Sequence, residues 1–139
     1  MSKKAVFFLL FFSLLFSSYS QILEPISWEF KVDSSNYSVS KKLDLIFEPT
    51  TEVGWYIYSS DNDPEAGPYT MFDFDENATY SLDENIKVKN VKKKFDSVWI
   101  ADVRYLDNGG AFIQSIIKNN NNLSVSGFIS YQVCSEIQK

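Results

Sequence analysis

The chain has 139 residues, with 18 acidic and 13 basic side chains, no histidine and a single cysteine. That length allows one domain and is short for two of ordinary size. The absent histidine excludes Ser-His-Asp and Cys-His catalysis and histidine-ligated metals, and one cysteine cannot build a thiolate zinc site.

The first residues read as an export signal. Lys3 and Lys4 form a basic start, Ala5–Phe16 an apolar core, and Ser18-Tyr19-Ser20 a small-x-small cleavage site. The apolar run is too short for a permanent transmembrane helix, which predicts cleavage before Gln21, with a retained anchor as the alternative. The expected organisation is a signal peptide over 1–20 and one domain over 21–139, exported to an oxidising compartment. Without Lys3 and Lys4 the domain keeps 11 basic against 18 acidic residues, a net charge of −7. A domain this acidic is not expected to bind nucleic acid through its phosphates, which need clustered cations. The one basic run, Lys87–Lys94, alternates with Val88 and Val91 and reads as a solvated edge or loop.

Ile26, Trp28, Phe30 and Val32 alternate with Ser27, Glu29, Lys31 and Asp33, a half-buried strand. After the turn Ser34-Ser35-Asn36, a second strand is expected over Tyr37–Phe47, ended by Pro49 and Thr50. Gly54 introduces the aromatic strand Trp55–Ser59, with Trp55 and Ile57 on one face and Tyr56 and Tyr58 on the other. Those tyrosines would line a groove or simply pack on the sheet. Ser60–Pro68 is a loop whose Asp61, Asp63 and Glu65 suggest a calcium site. The pattern fails, with Ala66 where glycine is needed and Phe72 where the bidentate glutamate belongs.

Phe72 and Phe74 alternate with Asp73 and Asp75 in another strand, followed by short strands near Tyr80–Leu82 and Ile86–Val88. Phe95-Asp96-Ser97 reads as a loop before a strand Val98–Leu106, with Trp99, Ala101, Val103 and Tyr105 facing the core. Asp107-Asn108-Gly109-Gly110 is the strongest hairpin signal, with Ala111–Ile117 as the return strand. Asn119–Asn122 makes the next turn. The final strand runs to Cys134, with Leu123, Val125, Ile129, Tyr131 and Val133 on one face. Cys134 falls in register with the serines and Gln132 on the other, so its thiol is expected on the polar side or off the strand end.

Eight or nine short strands, with no amphipathic helix after the signal, describe an all-β, immunoglobulin-like antiparallel β-sandwich without the paired cysteines of antibody domains. No glycine-rich phosphate loop is present, and neither cofactor nor metal is expected. The sequons at Asn36, Asn77 and Asn122 are of the number expected by chance in an asparagine-rich chain. Eighteen acids offer many carboxylate pairs for glycoside hydrolysis and single out none. The chemistry that remains is thiol-disulfide exchange at Cys134, a route that normally takes two cysteines. Two other readings stand beside it. One is a secreted binding or adhesion module in which Cys134 is an inert hydrophobe; the other is a carbohydrate-binding module with exposed rings as stacking platforms.

Several segments, in order and spacing, resemble a known family. They are Ile22-Leu23-Glu24-Pro25-Ile26-Ser27-Trp28, Gly54–Ser59, Gly67-Pro68 with Phe72-Asp73-Phe74, Lys94–Val98 and Tyr131-Gln132-Val133-Cys134. Together they resemble the N-terminal domain of the DsbD thiol:disulfide interchange family, in its Bacteroidetes form, over essentially the whole exported part. The resemblance implies a periplasmic immunoglobulin-like domain with protein-disulfide reductase activity. Its reductant would come from a thioredoxin-like domain through a membrane-embedded relay partner. It would pass on to disulfide isomerases or to thioredoxin-like proteins of cytochrome c maturation by mixed disulfides. Carried over, Cys134 matches the first redox cysteine, Phe95 and its neighbour Asp96 the capping loop, and Tyr56 and Tyr58, with Tyr131, the aromatics beside the site. The family's second cysteine lies five or six residues beyond the first, and this sequence ends five residues beyond Cys134. The expectation is a fragment whose second cysteine and last strand would follow Lys139, with a one-cysteine variant as the alternative.

Overall fold

The structure, a computed structural model, describes residues 23–136; the expected signal peptide and the last three residues lie outside the described residues. In chain order its elements are β1 (Ile26–Asp33), the single helical turn α1 (Tyr37–Ser40), β2 (Lys42–Thr51) and β3 (Trp55–Tyr58). Then come β4 (Met71–Phe74), β5 (Tyr80–Lys89), β6 (Lys92–Asp96), β7 (Ala101–Leu106), β8 (Ala111–Lys118), β9 (Gly127–Ser130) and β10 (Val133–Ser135). Every pairing is antiparallel. One sheet has the order β1-β2-β8-β5, a second β10-β3-β7-β6, and β4 with β9 forms a separate ribbon. This is the all-β sandwich that the alternation predicts.

Two-residue periodicity sets what lies between the layers. Ile57, Leu106 and Phe112 are fully buried there, with Trp28, Phe47, Phe72, Val88 and Val133 packed around them. A second cluster of Leu43, Leu45, Tyr80 and Ile116 continues the core under the ribbon, against Phe74. Gly127 permits the ribbon's close approach: a Cβ there would lie 2.1 Å from the Asp73 carbonyl oxygen.

Five local expectations are corrected. Tyr37–Ser40 is a helical turn: the Asp33 carboxylate accepts the Ser35 N–H and the Ser40 hydroxyl donates to the Asn36 carbonyl, side-chain contacts that compete with extension. The two short strands of residues 80–88 are one strand, interrupted by a register shift between Asp83 and Lys87, with Glu84 at φ 63°. Asp96 ends a strand instead of lying in a loop, and residues 97–100 form a turn that leaves Trp99 42 % exposed. Asp107–Gly110 does not close a hairpin; it carries the chain from the second sheet to the first. Asn108 fixes that crossing, accepting the Thr51 N–H at 2.7 Å and donating to the Thr51 carbonyl at 3.0 Å. Finally, the expected single strand to Cys134 is broken. Its first part pairs with β4 and its last with β3, and Tyr131-Gln132 bridges the two.

Candidate functional site

The short strand β3 has a hydrophobic surface on both sides. Ile57 faces the inter-sheet core, while Tyr56 and Tyr58 turn to the outer face of the second sheet, where they are 4 % and 1 % exposed. Cross-strand neighbours share a face, so the pairing of Cys134 with Tyr56 and of Tyr105 with Tyr58 brings those side chains together. Val103 completes the cluster, and Cys134 is half-buried against it. The side expected to be polar is therefore a second, tyrosine-rich apolar layer.

Asp96 is the buried acid of this layer. Its Oδ2 accepts the Tyr58 hydroxyl at 2.8 Å and, more weakly, the Tyr56 hydroxyl at 3.4 Å. Its Oδ1 accepts the backbone N–H of Val98 at 2.9 Å and of Trp99 at 3.4 Å, pinning the turn that follows β6. Burial pushes this carboxyl up. The Tyr58 hydroxyl, the two backbone N–H groups and the nearby Lys94 charge outweigh it, and the group stays below the ordinary carboxylate range.

Burial pushes the hydroxyls of Tyr56 and Tyr58 far above the usual tyrosine range. Nearby Cys134 and Tyr58 raise Tyr56 further, and the hydrogen bond to Asp96 does the same for Tyr58. Both rings therefore remain hydrogen-bond donors at any ordinary pH. Lys94 covers the cluster from the edge, its ammonium 3.4 Å from the centre of the Tyr56 ring, 5.0 Å from that of Tyr105 and 3.2 Å from Glu136. Cys134 thus lies opposite Tyr56 on a layer that also holds the Asp96 carboxylate and the Lys94 ammonium.

Of the residues singled out from the sequence, four converge: Cys134, Tyr56, Tyr58 and Asp96. Two do not. Phe95 lies on the face of β6 opposite Lys94 and Asp96, paired with Asp102 and 63 % exposed, so it does not cover Tyr56. Tyr131 packs its ring 5.4 Å from that of Trp28, on the core side of the sheet. Lys94 and Tyr105 are site residues that the sequence reading does not single out: it puts Lys94 on a solvated edge or loop and Tyr105 in the core. The signal for Lys94 is its spacing of two from Asp96, which on a strand sets both on one face.

No protein-family model, no curated protein and no solved structure matches the chain.

Proposed function

We propose that the outer face of the second sheet is a thiol-disulfide exchange surface with Cys134 as its nucleophile. The observation that supports this reading is the placement of a half-buried thiol directly opposite Tyr56, in a cluster that also holds a hydrogen-bonded buried carboxylate. Reactive cysteines sit partly exposed near cations, and Cys134 is half-buried on the layer that Lys94 covers.

In the proposed step the Cys134 thiolate attacks one sulfur of a partner's disulfide. A new sulfur–sulfur bond forms, the old one breaks, and the partner's second sulfur leaves as a thiolate. The partner disulfide is the oxidant, and the mixed disulfide persists until another thiol displaces Cys134. The partner class is a thioredoxin-like protein; periplasmic location and a membrane-embedded donor belong to the same proposal.

The experiment is capture. The reduced protein is mixed with a thioredoxin-like protein that keeps only its attacking cysteine, activated as a thionitrobenzoate mixed disulfide. A conjugate on a non-reducing gel is expected, lost in Cys134→Ser while the circular dichroism spectrum stays native. Phe95→Ala should leave the rate unchanged, given where that ring points. Modification of Cys134 no faster than global unfolding would sink the proposal and favour an inert core cysteine.

The alternative, a binding module, draws on a different observation: an apolar cleft of about 520 Å³ between β1–β2 and the β4–β9 ribbon.

A further inference from the structure

β1 is an outer strand of its sheet, and one of its long sides meets no other strand among the described residues. Its eight residues carry no proline or bulge, and its charges, Glu29, Lys31 and Asp33, all lie on one face and leave the backbone edge open.

The phase of the ladder fixes which backbone groups face outward. The Glu52 N–H donates to the Pro25 carbonyl at 2.9 Å, and Pro25 stands opposite Glu52 in the continuing register. Bonded and non-bonded pairs alternate along an antiparallel ladder. Ser27, Glu29, Lys31 and Asp33 therefore bond to β2, and the N–H and C=O groups of Ile26, Trp28, Phe30 and Val32 point away from it.

The two faces of this edge differ. On the inner face Trp28, Phe30 and Val32 line the apolar cleft, with Phe30 64 % and Val32 60 % exposed. On the outer face Glu29 stands directly opposite Glu48, and one ammonium, that of Lys31, serves both at 3.4 and 2.6 Å. Two opposed carboxylates share a single lysine.

We propose that β1 pairs with β1 of a second copy of this chain, antiparallel, about a two-fold axis through Phe30. In that register Phe30 faces Phe30 as a bonded pair, and Trp28 faces the second copy's Val32 across the apolar side. Glu29 faces the second copy's Lys31, and Lys31 the second copy's Glu29, so each Glu29 gains a second ammonium neighbour and each Lys31 a third carboxylate. Opposite charges directly across two strands attract, and like charges repel. Registers centred on Glu29 or on Lys31 would instead set two glutamates or two lysines face to face. The result is an isologous dimer with one continuous sheet, formed independently of the chemistry at Cys134.

Sedimentation of the purified protein over a concentration series, under reducing conditions and low salt, tests the pairing. A concentration-dependent dimer is expected. Glu29→Lys and Lys31→Glu should each weaken it about tenfold or more, since each sets like charges opposite one another twice. An equimolar mixture of the two variants should form a heterodimer as tight as the wild-type dimer, because every cross-strand pair is again of opposite sign. That mixture also shows that both variants are folded. A wild-type monomer at every concentration, single variants that associate like wild type, or a mixture no tighter than its components would each overturn the proposal.

Discussion

Tyr58 donates a 2.8 Å hydrogen bond to Asp96 across the outer face of the second sheet, where the two residues are only 1 % and 5 % exposed. The bond joins strands β3 and β6, which are not neighbours; β7 lies between them. Asp96 also holds the turn at Val98 and Trp99, so one carboxylate couples the tyrosine layer to the segment that follows β6. Cys134 sits on the same layer, which makes its surroundings only as fixed as this bond.

Tyr58→Phe should therefore cost more than Tyr56→Phe. Removing the Tyr58 hydroxyl takes from a buried carboxylate its shortest partner, a loss of about 1–3 kcal/mol. The Tyr56 contact to the same oxygen is 3.4 Å, and its loss should cost less than half as much. Urea midpoints at unchanged m-value measure both. Equal costs would mean that Asp96 is not the centre of the cluster.

The same carboxylate gives a signed pH dependence. The pKa of Asp96 in the fold lies below its ordinary 3.8, so the unfolded chain takes up this proton first as pH falls. Its contribution is complete above the unfolded value and is lost as pH drops through the folded one. Asp96→Asn should be less stable than wild type by about 1–3 kcal/mol at neutral pH. The gap should narrow steadily below pH 3.8, the ordinary value. A gap that stays constant into acid would show that the charged form is not the one the fold prefers.

Period-two alternation made much of this legible. It separated Ile57 from Tyr56 and Tyr58, and it set Cys134 on the face opposite Val133, as observed. It could not say what covers that second face, because the cover comes from β6. Lys92-Lys93-Lys94-Phe95-Asp96 has no apolar alternation of its own and is a strand only through its pairing with β7. Extending the Val103 pattern backwards puts Trp99 in the core, but the Val98 and Trp99 N–H groups bond to Asp96 and end that pattern first. Asp107–Gly110 has hairpin chemistry, but Asn108 binds both polar groups of Thr51 and steers the chain to the other sheet. Such contacts lie 57 residues apart in sequence, beyond the reach of any local signal.

Gly127 tests the ribbon. Its missing side chain lets β9 approach β4 so closely that an added Cβ would fall 2.1 Å from the Asp73 carbonyl oxygen and 3.0 Å from the Phe74 Cα. Both obstacles are backbone and cannot swing aside. Gly127→Ala should destabilise by about 2 kcal/mol or more, at the upper end of ordinary overpacking. A thermal melt within error of wild type would show that the ribbon does not pair in this register.

Ile100 offers the opposite sign. It is a β-branched residue at φ 54°, a conformation such side chains rarely adopt, and it is 79 % exposed. A left-handed backbone costs an ordinary L-residue roughly 1–2 kcal/mol, and glycine avoids that cost. Against this gain stands the greater freedom of glycine in the unfolded chain, about 0.4–1 kcal/mol, and little apolar burial is given up at so exposed a site. Ile100→Gly should therefore stabilise the protein by up to about 1.6 kcal/mol, the difference between those two effects. Ile100→Val, which keeps the branched Cβ, should not. Denaturation midpoints of the two variants decide it: a destabilised glycine variant would mean that the turn after Asp96 is held by contacts of the Ile100 side chain and not by the carboxylate behind it.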